Sequence, residues 1–576
     1  MLKASGAMAS ATLTSRILGM VREMVYGWFM GDDKVAGAFF FAFQIPNLFR
    51  RLLGEGALTA AFIPIFKEKE KNHGEIEMWR AANAVISGLI VSASVIIAIV
   101  MLGISLALAY GAPPQLAPRP VVHSPAIVSS AVTNTVVTNA LATGNASTNA
   151  AAGFEEAPFW APGQFSEKTV LILRLLRVMF PYMLFVCLAA AFMGMLNARG
   201  HFFIPAMGAA MLNVAMIASV LWLAPKFGVG LPQERKLPVQ IFALAYGVLA
   251  AGIAQAAFQL PSLWREGFRY RWVSPWGDET VRRVVQKMIP GTIGVAAFQI
   301  NVTIVQIIAY WINPQINASF NYAVRLMELP QGMFGISLAT YLLTALSGLA
   351  LDKNYPEFRT TLRQGLSSLL FANLIAAVLL TVLAEPIIRL LFQHGDKFTP
   401  ASTHRAALAL ACLAPGLVAF SSVNVLARAF YALGDTKTPM KISIVCLIIN
   451  LIFSAILIMP LRQAGLGIAN TLTSIANVSL LVFALRKKLK TLDAEPLRRT
   501  FLPLAIAGAL AGLAAWLGWK CWEKELGHTT ISLEIGAVFV PAGLAGLIYW
   551  SLAMFCRIPA AKEMTAFALA KLGNRR

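Results

Sequence analysis

Five arginines lie in stretches that otherwise read as membrane-spanning: Arg16 and Arg22, Arg50 and Arg51, and Arg325. An arginine at the bilayer centre costs about 2.5–3.5 kcal/mol on the lenient insertion scale. Such side chains persist where they face water, a partner or a ligand rather than lipid. A guanidinium is a planar fork of N–H donors that matches carboxylate or phosphate oxygens two at a time. The chemistry on offer is therefore anion binding in a hydrated cavity. Three glutamates, Glu23, Glu55 and Glu328, accompany the five arginines and leave positive charge in surplus.

Spacing assigns these groups to helix faces. Arg16 and Glu23 stand seven apart on one face, and Arg22 lies beside Glu23. Arg51 and Glu55 can pair at i,i+4, and Arg325 and Glu328 at i,i+3. Two readings compete. Each arginine is neutralised by its neighbouring glutamate or snorkels to an interface, most easily Arg22 beside Glu23. Alternatively, the surplus arginines contact an anion.

The elements that must carry them are helices. The chain has 576 residues, is 58% hydrophobic and only 13% charged. Soluble domains are about 25% charged, so the composition indicates an all-α polytopic membrane protein. Uncharged runs of spanning length recur from 81–110 to 535–556, and the polar-marked segments 10–30 and 36–66 bring the expectation to about fourteen spans. Asn313-Pro314-Gln315 divides one long apolar stretch in two. The net charge of +21 reflects loops rather than nucleic-acid binding. Roughly 27 of the 48 Lys and Arg fall in the loops 67–80, 199–201, 265–287, 352–363, 434–441, 486–499 and the tail, which places these segments and both termini in the cytoplasm.

Residues 112–165 are different: low-complexity, rich in Ala, Ser, Thr and Asn, and read as an extracytoplasmic insertion. Segment 263–284 mixes Trp264, Phe268, Tyr270 and Trp272 with Arg265, Arg269 and Arg271, which predicts an amphipathic interfacial helix.

An internal repeat is visible. Pro181, Ala198, Gly200 and Pro205 recur as Pro415, Ala432, Gly434 and Pro439 at a constant offset of 234 residues. Arg51 and Arg325 match at a longer offset, which an insertion within 112–165 explains. The expected organisation is two homologous six-helix lobes, 1–264 and 265–490, followed by two further spans and a tail in 491–576. Duplicated transporters place their substrate at the interface of the halves.

Signatures of other classes are missing from the sequence. The five cysteines form no CxxC, and the six histidines show no metal-ligand spacing. No Gly-rich phosphate loop, HExxH or GxSxG is present. Asp32-Asp33 reads as an outer loop.

Several motifs together resemble one family. Thr14-Ser15-Arg16-Ile17-Leu18-Gly19, Pro46-Asn47-Leu48-Phe49-Arg50-Arg51 with Glu55-Gly56-Ala57, Arg325-Leu326-Met327-Glu328, Phe392-Gln393-His394-Gly395 and Gly434-Asp435-Thr436-Lys437-Thr438-Pro439 resemble the MurJ (MviN) family. These are lipid II flippases of the multidrug/oligosaccharidyl-lipid/polysaccharide exporter superfamily. The resemblance implies fourteen spans in two lobes and a V-shaped cavity lined by the first, second, seventh and eighth spans. It also implies a lipid-tail groove beside the last two spans. Lipid II would be the cargo, carried by a monomer in the bacterial inner membrane without a cofactor or enzymatic activity. Family-essential arginines match Arg16, Arg22, Arg51 and Arg325, with Arg50 alongside.

The chain departs from the family in places. An acid common just before the Phe-Phe pair is replaced within Ala36-Gly37-Ala38, and the acid before Arg325 is Val324. Some members bind sodium through carboxylates in the seventh and eleventh spans. Here the eleventh offers Asn450 and Ser454 and the seventh has no interior acid, which argues against sodium. The alternative reading is a related exporter of another polyprenyl-linked saccharide, or a drug/cation antiporter. An antiporter needs carboxylates in surplus, the reverse of this chain.

Overall fold

The computed structural model describes residues 2–49, 57–111, 165–201, 203–489, 495–562 and 565. Arg50, Arg51, Glu55 and nearly all of the 112–165 insertion lie outside the described residues. The ends of the insertion meet, because the Phe165 amide donates to Gly111 O at 2.6 Å.

Among the described residues every regular element is helical. In chain order they are α1 Leu2–Met30, α2 Lys34–Phe49, α3 Ala57–Gly111, α4 Glu167–Met179, α5 Tyr182–Ala198, α6 Phe203–Ala218, α7 Gln233–Arg265, α8 Glu279–Ile312 and α9 Pro314–Pro330. Beyond these come α10 Ser337–Leu351, α11 Tyr355–Val382, α12 Ala384–Phe392, α13 Pro400–Leu413, α14 Leu417–Ala432, α15 Lys437–Leu489, α16 Glu495–Glu525 and α17 Ile531–Phe555. Among the described residues, 8 helices are long and apolar enough to cross a membrane, or up to 9 when the bent pair α4–α5 is one span.

Proline and capping residues set the breaks. Pro181 separates α4 from α5 at a 42° bend. Asn313 caps α9, its side-chain oxygen accepting from the Gln315 amide at 2.9 Å, and Pro314 occupies the first turn, where no N–H is needed. Pro330 does not end its helix. The chain continues as a π-helical turn, Gln331–Ile336, before α10, one way of accommodating the amide a proline lacks.

The two matched Gly-Pro motifs form the same local turn. After α5, the His201 amide donates to Leu196 O at 2.9 Å, and after α14 the Asp435 amide donates to Phe430 O at 3.0 Å. Gly200 and Gly434, one residue earlier, both take positive φ, 86° and 73°. These are the same C-terminal cap in the same register.

Packing differs between the two ends of the molecule. Toward the C-terminus of α1, one core joins the halves: Tyr26 and Phe39 of the N-terminal half share it with Tyr322, Phe392 and Phe398 of the other. Gly37 of α2 lies so close to α9 that a Cβ there would stand 2.4 Å from Pro314 O. Toward the Gly200 and Gly434 caps the cores are separate. One packs α3, α5 and α7 with the start of α8, and the other packs α10, α11, α14 and α15. The last two helices, α16 and α17, pack on α11 and α12.

The segment 266–278, expected as a helix, is irregular and non-helical. Pro275 disfavours helix there. Buried polar groups of α3 also bind the chain: Asn83 Nδ2 donates to Arg269 O at 3.1 Å, and the Val273 amide donates to Ser87 Oγ at 3.4 Å. Phe268 turns into the core, while Arg269, Tyr270, Arg271, Trp272 and Trp276 are still outward.

Candidate functional site

Five of the eight residues singled out in the sequence meet around one cavity. α1 supplies Arg16, Arg22 and Glu23, and α9 supplies Arg325 and Glu328. Gly19, Met20 and Leu329 complete the lining of a space of ≈ 120 Å³. The helical spacings hold: Arg325 Nη1 donates to Glu328 Oε2 at 2.8 Å, and Arg22 Nη2 donates to Glu23 Oε1. The other three, Arg50, Arg51 and Glu55, lie outside the described residues.

Long-range contacts add what spacing did not reveal. Glu23 is buried, 3% exposed, and its Oε1 also stands 3.3 Å from Arg325 Nε. One carboxylate thus serves an arginine from each half. Arg16 reaches across as well, Nη1 donating to Glu328 O at 3.2 Å. Its guanidinium lies where a side chain at position 332 would be. A Cβ on Gly332, in the π-helical turn, would meet Arg16 Nη1 at 1.8 Å. The turn after Pro330 therefore provides the floor on which Arg16 rests.

Arg22 is held on three sides. Besides Glu23, it donates through Nη1 to Asn213 Oδ1 of α6 at 3.0 Å, and it sits 5.5 Å from the Tyr26 ring centre. Its Nε is buried with no hydrogen-bond partner among the described residues. Sequence reasoning missed Asn213; the available signal was a lone amide in the apolar run of α6.

The balance of the lining is three arginines to two glutamates. Neither glutamate can accept from every N–H of the guanidiniums, each of which carries five. Such a cavity suits a compact anion with several acceptor oxygens. Among the described residues no group of three or more His, Cys, Asp or Glu is placed to hold a metal ion.

A second polar cluster lies about 15 Å farther along the α1 direction, ten residues from Arg22 at the helical rise. Asp32, read from sequence as an outer loop residue, is 2% exposed. It accepts from Arg405 Nε at 2.7 Å and Nη2 at 2.9 Å, from Ser402 Oγ at 2.6 Å and from Ser319 Oγ at 2.8 Å. Its donors all come from α9 and α13, so it ties the halves together. A side chain at Gly37 would collide with Pro314, whereas Asp32 is accommodated in a buried position close by. Asp33 is exposed beside it.

Comparison with known proteins agrees with this architecture. A family model described as lipid II flippase MurJ matches residues 28–118 and 132–535. A probable lipid II flippase MurJ of Bdellovibrio bacteriovorus is 32% identical over 559 residues, covering 96% of this chain and 94% of the relative. Its counterpart in Vibrio cholerae serotype O1 is 31% identical over 541 residues, covering 91% and 92%. A solved structure of lipid II flippase MurJ in an inward closed conformation superposes with TM-score 0.71 at 21% identity, covering 96% and 98% of the two chains. An inward-facing multidrug resistance MATE family transporter of the MOP superfamily superposes with TM-score 0.59 at 12% identity, covering 85% and 99%. With a family model spanning most of its length and relatives above 30% identity along nearly all of it, the chain belongs to the lipid II flippase MurJ family.

Proposed function

We propose that this protein moves lipid II from the inner to the outer leaflet by alternating access, with Arg16, Arg22, Arg325, Arg50 and Arg51 binding the pyrophosphate. The observation that carries this reading is the convergence of arginines from both halves on one cavity with only two glutamates. The names of the relatives support lipid II among the anionic lipids. The chain is a multi-pass transporter of the bacterial inner membrane, not a catalyst.

In this mechanism the headgroup enters from the cytoplasmic side, where the basic loops and both termini lie. A cavity of ≈ 120 Å³ holds a few waters, so a glycan-bearing headgroup requires the halves to part further. The pyrophosphate displaces Glu23 and Glu328 from some of their N–H partners. Release then requires the Asp32 cluster to open and the separate cores at the other end to close. An inside-negative potential favours outward movement of an anion by about 2.3 kcal/mol per charge per 100 mV. That drive operates without a coupled ion.

The test is growth of a flippase-depleted strain carrying Arg325→Ala at normal expression. We expect complementation to be abolished while the purified variant melts near the wild-type temperature. Full growth overturns the role of Arg325. Preferential binding of another polyprenyl-pyrophosphate glycan by the wild type overturns the cargo and leaves the anion site standing.

A further inference from the structure

Between Phe203 and Ala218, α6 carries one amide side chain in an otherwise apolar sequence, Asn213, and it is buried at 6% exposure. A buried amide is costly unless both its ends are bonded. Here they are. Nδ2 donates to Ser15 O at 3.0 Å and lies 3.5 Å from Ala209 O, while Oδ1 accepts from Arg22 Nη1 at 3.0 Å. The amide's orientation follows from chemistry, since a guanidinium has no acceptor and a carbonyl no donor. One side chain thus holds both the turn that precedes Arg16 and the guanidinium of Arg22.

An acceptor beside a buried arginine can do two things: fix its direction and cancel its charge. Glu23 does both and divides itself between Arg22 and Arg325. Asn213 does only the first. The described lining therefore keeps one positive charge in excess, three arginines to two glutamates. A carboxylate at position 213 would satisfy Arg22 equally well and bring that balance to zero.

We propose that Asn213 is a positioning residue of the anion site, aiming Arg22 into the cavity while leaving its charge available to the cargo. This rests on the lipid-pyrophosphate reading of the cavity. A purely structural amide predicts that Asn213→Asp loses stability, because the bond to Ser15 O is lost, and weakens both lipids alike. Positioning without neutralisation predicts a loss that grows with the charge of the lipid.

The experiment uses the full-length protein in detergent with undecaprenyl pyrophosphate and undecaprenyl monophosphate as probes. For Asn213→Asp we expect pyrophosphate affinity to fall by about tenfold or more, with a smaller loss for the less charged monophosphate, alongside a lower melting temperature from the lost bond to Ser15 O. Asn213→Leu, which keeps the charge balance but frees Arg22, should lose less. Wild-type affinity in Asn213→Asp, or an equal loss for both lipids, overturns the proposal. If the wild type binds neither lipid, the cargo reading fails, and a structure of Asn213→Leu decides the positioning role. Arg22 drawn onto Glu23 upholds it, and Arg22 unmoved overturns it.

Discussion

The cavity cluster and the Asp32 cluster use the same materials with opposite stoichiometry. Both place a buried acid against an arginine from the other half of the molecule. In the cavity, Glu23 is shared by Arg22 and Arg325, and arginines outnumber acids. At Asp32, one arginine meets one acid, and the remaining lone pairs of the acid take hydroxyls from Ser319 and Ser402. A site that must receive an anion keeps donors in excess. A contact that holds two halves together satisfies itself. On the proposed reading, the first cluster binds the anion and the second holds the halves closed.

The sharpest way to break this comparison is at the self-satisfied cluster. Removing one partner of a buried pair costs about 3–5 kcal/mol because the other charge is left uncompensated. Asp32→Ala should therefore weaken closure strongly, lowering the melting temperature. It should also expose a cysteine placed at Thr403, which is 2% exposed, to maleimide. Arg405→Ala should do the same, and the double variant should be no worse than either single one. Lipid affinity per open cavity should stay near wild type. A loss of binding with closure intact would reverse the two assignments.

A smaller effect is expected at the floor of the cavity. Gly332→Ala places a methyl where Arg16 lies. The guanidinium is a flexible end and can move, so the fold should persist while the bond to Glu328 O is lost. The expected penalty in lipid affinity is about 1 kcal/mol, read by titration; an unchanged affinity would remove Arg16 from the site.

The smallest effect belongs to the repeat-related cap at Asp435, far from both clusters. Hydrogen bonds from Lys488 and from the Thr438 amide hold its carboxyl down at about 2. A depressed folded pKa means the contribution is present above the ordinary value of 3.8 and is lost as pH falls through about 2. Lys488 is partly exposed, so Asp435→Asn should cost at most about 1 kcal/mol at neutral pH. The gap to wild type should close in acid melts and leave transport unaffected. A growth defect would make the cap part of the machinery.

Legibility from sequence tracks distance along the chain. The Arg325–Glu328 pair, the Asn313 cap and the matched glycine caps are readable because they depend on neighbours within one or two turns. The second partner of Glu23, the bond from Arg22 to Asn213 and the burial of Asp32 are not, since each depends on a residue brought in from another helix. The segment near Trp272 departs from its expected helix for the same reason. Its composition suits an interfacial helix, but Asn83 and Ser87 of a distant helix bind its backbone in an irregular path.

By itself the sequence determined that this is a helical membrane protein whose apolar stretches carry arginines in excess of acids. Those conclusions rest on transfer energies and helical spacing, which are local properties. Only the tertiary structure decided which buried charges stay cationic and which are neutralised. That outcome depends on where α1, α6, α9 and α13 cross, because a charge is neutralised by the groups within a few ångströms of it, whatever their separation along the chain.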